Sequence, residues 1–327
     1  MLATETLTRV AEGFGIGPIT RCWAARRGVE NRSFFITADG GREWVLTIMA
    51  RTASAGDQLG PLLHTCQALG LPVAAPLATR DGATELWLED GKPALLCPRL
   101  PGRHPLNPTA AQIAAVGRFL ARLHTGTRAL AGKLSPYPRT LEWLQTQQTV
   151  CRPFLSFQCQ SLMGQALSAV AGLLRRNDVR ALPAGAIHAD LFRDNALFTD
   201  WGLSGVLDFQ HASRGYFIYD LAVVANDWCT EPHTGRIQAE HLLTLLTAYH
   251  GIRPLQPLEL AFLGLFGLYA ALAFWQSRWV MALARARGET DRANDPADFE
   301  RLVAGYLNTP LTLDAALIGQ NVAASDR

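Results

Sequence analysis

The sequence predicts an α+β protein of two lobes: a small antiparallel β-rich N-terminal lobe over 1–97, a hinge at 98–102, and a large, mainly helical C-terminal lobe over 103–327. Three observations lead there. At 327 residues, 49% of them hydrophobic, the chain is longer than one core usually serves and apolar enough for two. Up to Cys97 the apolar runs are short and divided by glycine-containing turns, as in a sheet. From Thr109 onward apolar residues recur at helical spacing instead.

In chain order, residues 4–14 read as a short helix opened by Thr4, followed by strands at 19–25, 34–38 and 44–49. Asp39-Gly40-Gly41 is a hairpin signal joining the second strand to the third. The polar turn from Gly28 to Ser33 separates the first two. A helix over 57–69 is stopped by Gly70 and Pro72. Strands at 77–79 and 85–88 flank the turn Arg80-Asp81-Gly82, and 93–97 completes the sheet. Beyond the hinge, Ile113, Val116, Phe119, Leu120 and Leu123 mark a helix closing near His124. Further helices are expected at 140–148, 160–176, 219–227, 238–250, 258–285 and 296–306, around an island of short strands near 187–208.

Composition excludes several function classes. The formal charge of +2, without a basic stripe, argues against nucleic acid as a partner. Cysteines 22, 66, 97, 151, 159 and 229 show no C-x-x-C or His–Cys spacing for zinc, so they read as reduced thiols of a cytoplasmic protein. The first 15 residues lack a basic region followed by an apolar run, so no signal peptide is expected. Leu260 to Ser277 is uncharged and sits at the threshold for a membrane span. Its glycines and the Trp275-Gln276-Ser277-Arg278 ending fit a buried core helix, and no membrane partner is expected.

The most informative stretch is Ile187 to Asp208, IHADLFRDNALFTDWGLSGVLD. His188, Asp190 and Asn195 have the H-x-D-x-x-x-x-N spacing of a phosphoryl-transfer loop, and Asp208 follows in the apolar run Gly205 to Phe209. A carboxylate at 190 suits deprotonation of an attacking hydroxyl. The amide oxygen of Asn195 and the carboxylate of Asp208 are hard ligands for Mg2+ on ATP phosphates. Asp and Asn are also turn formers, which accounts for Asp200 at the hairpin tip Thr199-Asp200-Trp201-Gly202. It accounts poorly for Asp208, since an acid inside an apolar strand is costly to bury without a cation or donors.

With Tyr219-Asp220-Leu221-Ala222 and Asn226-Asp227-Trp228-Cys229 downstream, the chain resembles the aminoglycoside-phosphotransferase-like kinases, of protein-kinase-like bilobal fold. Within them it is most similar to the homoserine kinases, whose loop reads H-x-DLFRDN where other branches are closer to HGDxxxxN. Gly28-Val29-Glu30-Asn31, Val45-Leu46-Thr47, Gly70-Leu71-Pro72-Val73 and Gly91-Lys92-Pro93-Ala94 extend the likeness through the N-terminal lobe. The resemblance implies transfer of the ATP γ-phosphoryl group to the side-chain hydroxyl of L-homoserine, a step of threonine biosynthesis. It implies Asp190 as base, with His188 fixing the loop by hydrogen bonding and Arg193 in the same loop. Asn195 and Asp208 would hold Mg2+, and Asp220 would brace the loop. Gly28, Asn31 and Ser33 would lie over the phosphates, with Thr47 nearby. The adenine would sit against Leu96, Cys97 and Pro98.

The chain departs from the family pattern at several positions. Thr47 stands where kinase-like lobes carry a basic residue, as in the homoserine-kinase branch itself. Arg51 shares a strand face with Thr47 and Met49 and is the candidate phosphate-facing cation, a solvated strand-end arginine being the alternative. The next helix has only Asp57 as an acid. Gln210-His211 replaces an aromatic pair, and Leu268 and Ala273 replace expected arginines. The substrate carboxylate is therefore assigned to His211, Arg214 or Arg278 and its ammonium to Asp227, with structural ion pairs as the alternative for each. Two rival readings stand beside homoserine: another hydroxyl acceptor (amino alcohol, sugar or aminoglycoside), and a nucleotide-binding pseudokinase.

Overall fold

The computed structural model describes residues 2–25, 31–49, 56–231, 234–288, 295–309 and 311. Gly28 and Arg51 of the expected nucleotide site, with Val29 and Glu30 of the same turn as Gly28, lie outside them, as does the side chain of Asp57. The contacts divide the chain into two compact units. One joins Met1–Arg103 with Leu197–Gln210, and the other joins His104–Ala196 with His211–Arg327.

The first unit is built on an antiparallel sheet. Helix α1 (Thr4–Phe14) opens at Thr4 as expected, and its N-cap Ala3 contributes no side-chain bond. Gly15 ends it in the left-handed conformation, its N–H returning to Ala11 and Glu12. Strands β1 (Ile19–Ala24), β2 (Arg32–Ala38), β3 (Glu43–Ile48), β4 (Leu86–Trp87) and β5 (Pro93–Pro98) form the order β1-β2-β3-β5-β4. Period-two alternation turns Phe34, Ile36 and Ala38 inward, where they join Val10, Phe14, Ile16, Leu46, Ile48 and Leu96 in one core. Residues 77–79, expected as a strand, are not one. Leu77 N–H donates to Leu96 and Thr79 N–H to Ala83, a turn that leaves β4 to pair with β5 instead. Helix α2 spans Gly56–Ala68.

A hairpin of β7 (Ala196–Thr199) and β8 (Gly202–Val206) also belongs here, although it falls in the 103–327 segment by sequence. Backbone bonds explain the grouping. Arg103 pairs with Phe198 in both directions at 2.9 Å, and Val206 N–H donates to Pro72 at 2.7 Å. Gly102 is required by this approach: at φ +123°, a Cβ there would stand 2.8 Å from the Phe198 carbonyl. Trp201 at the hairpin tip is 98% exposed.

The second unit is mainly helical. Thr109 and Gln112 form a capping box that starts α3 (Ala110–Gly126), with Ile113, Val116, Leu120 and Leu123 on its buried face. Thr140 caps α4 (Leu141–Cys151) and Ser156 caps α5 (Phe157–Leu174). Strands β6 (Ala184–Ile187) and β9 (Ser213–Tyr216) form a two-stranded antiparallel sheet. Helix α6 (Phe217–Trp228) is buried on nearly every side, its apolar residues lying all round it and its polar Asp220 and Asn226 buried with them. Then come α7 (Ala239–His250), α8 (Pro257–Ala286) and α9 (Ala297–Asn308). Helix α8 is long and apolar enough to cross a membrane, yet most of its apolar stretch is buried against the rest of the protein, as expected of a core helix.

Candidate active site

The H-x-D segment leaves β6 directly. Ala189 is buried and adopts φ +66°, a conformation that costs a Cβ-bearing residue about 1–2 kcal/mol. Asp220, in the first turn of α6, offsets that strain. Its Oδ2 accepts the His188 N–H at 2.8 Å and its Oδ1 the Ala189 N–H at 2.7 Å. The His188 ring is fully buried, and its Nδ1 accepts the Asp190 N–H at 3.2 Å. Asp190 itself is half-buried. Trp228 Nε1 donates to the Leu191 carbonyl at 3.0 Å, fixing the loop from behind.

Asn195 closes the loop. Its Nδ2 donates to the Asp190 carbonyl at 2.8 Å and to Asp190 Oδ2 at 3.2 Å, so the amide nitrogen serves Asp190 and the oxygen is the atom suited to a cation. Arg193 turns the other way. It pairs with Asp227 through Nε and Nη2, and its backbone N–H donates to Asp227 Oδ2 at 2.6 Å. Asp227 is thereby occupied by Arg193, an internal ion pair that leaves it poorly placed to receive a substrate ammonium.

Asp220 continues into a buried chain of hydrogen bonds between residues far apart along the chain. His124 Nε2 stands 3.0 Å from Asp220 Oδ2, and His124 Nδ1 stands 2.8 Å from the Tyr249 hydroxyl. Arg253 Nη1 donates to that hydroxyl at 3.1 Å and to Glu259 at 3.0 Å. Burial lowers the His124 pKa despite the Asp220 carboxylate. A neutral ring must then donate from Nε2 to Asp220 and accept at Nδ1 from Tyr249.

In the first unit, Asp208 differs from expectation. It is exposed, lies past the end of β8, and has φ +60°, a region that Asp tolerates better than most residues. No burial cost therefore has to be explained. Gln210 links it to the polar turn: its Nε2 reaches Asp208 Oδ2 at 3.5 Å, and Asn31 Nδ2 donates to Gln210 Oε1 at 3.0 Å. Ser33 and Thr47 are register partners on β2 and β3, their hydroxyls 3.2 Å apart. Leu96 is fully buried and its carbonyl accepts from Leu77, whereas Cys97 and Pro98 are half-buried. Burial pushes the Cys97 thiol up to about 12, so it is an inert neutral group.

The remaining substrate candidates fall in the second unit. His211 is half-buried, and its pKa is lowered to about 4 by burial, then by the charges of Arg139 and His188. Arg214 is exposed on β9. Arg278 lies 3.9 Å from Asp298, donates to the Asp295 carbonyl and stacks on Phe299. Arg139 escaped the sequence reading, because a single arginine in the turn Pro136-Tyr137-Pro138-Arg139 ahead of a helix cap carries no periodic signal. Among the described residues, no group of three or more His, Cys, Asp or Glu side chains is placed to hold a metal alone.

The model of the phosphotransferase enzyme family matches residues 24–258, well over half of the chain. The chain belongs to the phosphotransferase enzyme family. Members most similar to it include the homoserine kinase of Cupriavidus pinatubonensis, 38% identical over 93% of this chain and 94% of that one. The homoserine kinase of Pseudomonas aeruginosa (strain LESB58) is 37% identical over 97% and 98%. Among solved structures, the amicoumacin kinase hAmiN in complex with AMP-PNP, Ca2+ and Ami superposes with a TM-score of 0.71 at 18% identity, over 98% of this chain and 97% of that one. The microcompartment-associated aminopropanol kinase gives 0.68 at 18%, over 93% and 98%. At those identities the structures establish the shared kinase-like fold.

Proposed function

We propose that this chain transfers the γ-phosphoryl group of ATP to the side-chain hydroxyl of L-homoserine, giving O-phospho-L-homoserine and ADP, in the cytoplasm. The observation that carries the substrate is full-length similarity, at 37–38% identity, to proteins named homoserine kinase. The chemistry is supported by a loop whose Asp190 is oriented from both sides, by His188 on its N–H and Asn195 on its carboxylate.

In this reading Asp190 takes the proton of the attacking hydroxyl. The oxygen forms a bond to the γ-phosphorus, the bond to the β–γ bridging oxygen breaks, and that electron pair leaves with ADP. His188 and Asp220 keep the loop in its strained path. Asn195 and Asp208 stay in this proposal, on sequence grounds, as hard oxygen ligands for Mg2+, which would neutralise charge on the phosphates. The first unit carries the nucleotide contacts: Asn31 of the polar turn, Ser33 on β2 with Thr47 on β3, and the hinge-side Cys97 and Pro98. Gly28 and Arg51 stay in this proposal on sequence grounds alone.

The test is ADP release across a panel of acceptors with MgATP. L-Homoserine should be turned over best, ahead of serine, threonine, 3-aminopropanol and an aminoglycoside. Turnover of another alcohol with none of homoserine would overturn the substrate. No ADP release with any acceptor would favour the pseudokinase.

A further inference from the structure

The buried guanidinium of Arg139 sits one aromatic ring away from the catalytic loop. Its Cζ lies 4.2 Å from the centroid of Phe274, and the same ring meets Phe192 of the loop edge-on at 4.7 Å. Trp143 flanks it at 5.7 Å, and the Tyr269 hydroxyl donates to the Arg139 carbonyl, fixing the backbone at that point. Tyr137 and Tyr219 are hydrogen-bonded to each other on the adjoining wall, their rings tilted at a centroid distance of 4.5 Å, and Tyr219 precedes the loop-bracing Asp220.

What this cage lacks is an anion: Tyr137 is hydrogen-bonded to the Arg139 side chain, but that partner is a neutral phenol. Arg139 Nη1 is buried without a hydrogen-bond partner. Among the described residues no carboxylate pairs with it, whereas Arg193 has Asp227 and Arg278 has Asp298. An orphaned guanidinium N–H in a desolvated setting is costly and asks for an explanation in terms of an anion that arrives later. The charge persists there: burial works against it, but the facing Tyr137, Tyr219 and Asp190 outweigh burial and raise the pKa. Asp190 attracts a cation at this place, while its carboxylate accepts from Asn195 and its own N–H donates to His188.

We infer that Arg139 is the residue that binds the α-carboxylate of the acceptor substrate, through a planar fork whose free N–H waits for that group. The inference rests on the homoserine reading and adds its anchoring point. A planar guanidinium matches a carboxylate in two parallel bonds, and the stack on Phe274 holds the fork's plane. Selection is then for hydroxy amino acids over amino alcohols, since an acceptor without the carboxylate leaves the N–H unpaired. The hydroxyl to be phosphorylated extends from that anchor toward Asp190.

The experiment compares L-homoserine with its neutral carboxamide as acceptors for wild type, Arg139→Gln and Arg139→Lys, following ADP release. Wild type should prefer the acid over the amide by roughly 100-fold in kcat/KM, the scale of two charge-assisted hydrogen bonds. Arg139→Gln should raise the KM for homoserine by a similar factor, leave the KM for ATP within about twofold, and bring the acid-to-amide ratio close to one. Arg139→Lys keeps the charge without the fork and should fall between. An unchanged ratio in Arg139→Gln overturns the assignment. Nucleotide-induced thermal stabilisation shows that each variant is folded; if Arg139→Gln fails that control, the Arg139→Lys ratio decides. If wild type uses a different hydroxy acid, the homoserine reading falls and Arg139 is judged on that acid and its amide. If wild type prefers neutral alcohols, both fall.

Discussion

Asp220 holds the left-handed residue Ala189 in place, its Oδ1 accepting the Ala189 N–H at 2.7 Å while Oδ2 takes the His188 N–H at 2.8 Å. The pair explains how a residue with a Cβ occupies a backbone conformation at φ +66° that glycine enters freely. Replacing Asp220 by Ala leaves two buried N–H groups and His124 without an acceptor. It should cost about 3–5 kcal/mol in urea unfolding, within the range for breaking a buried charged network. Ala189→Gly alone should change stability by less than about 1 kcal/mol, since relief of strain is set against lost methyl burial and added chain entropy. In the Asp220→Ala background the glycine should recover about 1 kcal/mol, and additivity of the two changes would show that Asp220 is not holding the strained turn.

The neutral state of His124 makes stability depend on pH. Burial depresses its folded pKa below the ordinary 6.5, and burial with the charges of Arg139 and His188 takes His211 to about 4. The unfolded chain therefore binds more protons than the folded one below pH 6.5, and stability rises with pH in that range. Their contribution is complete above pH 6.5 and is lost progressively toward pH 4. Urea midpoints should fall steadily between those values, and His211→Gln should flatten part of the slope. A midpoint constant from pH 6.5 to 4.5 would contradict the buried neutral assignment.

Arg193 and Asp227 are predicted to behave as one structural unit. Arg193→Met strips the partner from a largely buried carboxylate and should destabilise by about 3 kcal/mol. Asp227→Asn removes the charge but leaves Arg193 facing an amide. The double variant should be more stable than the sum of the single changes implies, with a coupling of about 1–3 kcal/mol by a double-mutant cycle. If Asp227 instead received the substrate ammonium, Asp227→Asn would raise the KM for homoserine with little change in unfolding.

What was legible in the sequence was whatever is written in local spacing. The helices after Thr109 lie within a few residues of their expected bounds because caps and apolar periodicity agree there, as at Thr109 and Ser156. The strand expected at 77–79 was not a strand because Leu77 spends its N–H on Leu96 and the chain turns at Thr79, a tertiary choice that short apolar runs do not encode. Asp208 looked buried because its neighbours are apolar, yet the chain leaves the ladder after Val206 and turns at φ +60°. The His124–Tyr249–Arg253–Glu259 chain joins residues up to 135 positions apart along the sequence, counted from His124 to Glu259, so no motif window could contain it. Arg139 was invisible for the same reason, since its partners Phe274, Tyr269 and Trp143 come from two different helices.

The sharpest consequence of the proposed chemistry falls on Asp190. Its carboxylate accepts from Asn195 Nδ2 at 3.2 Å while its carbonyl accepts from the same amide at 2.8 Å, so the backbone of the loop is held independently of the carboxylate. Asp190→Ala should therefore leave the loop folded, with unfolding free energy within about 1 kcal/mol of wild type. Its kcat should fall by about 10²–10⁴-fold, the usual contribution of a positioned base. Binding of MgATP, followed by calorimetry, should persist, because the groups proposed to hold nucleotide and cation are Asn195, Asp208 and the first unit's polar turn. Asp190→Asn should be equally inactive, since an amide preserves the shape and the Asn195 contact but cannot take the hydroxyl proton. Equal turnover by wild type and either variant would remove Asp190 as the base and leave it as a residue that only orients Asn195.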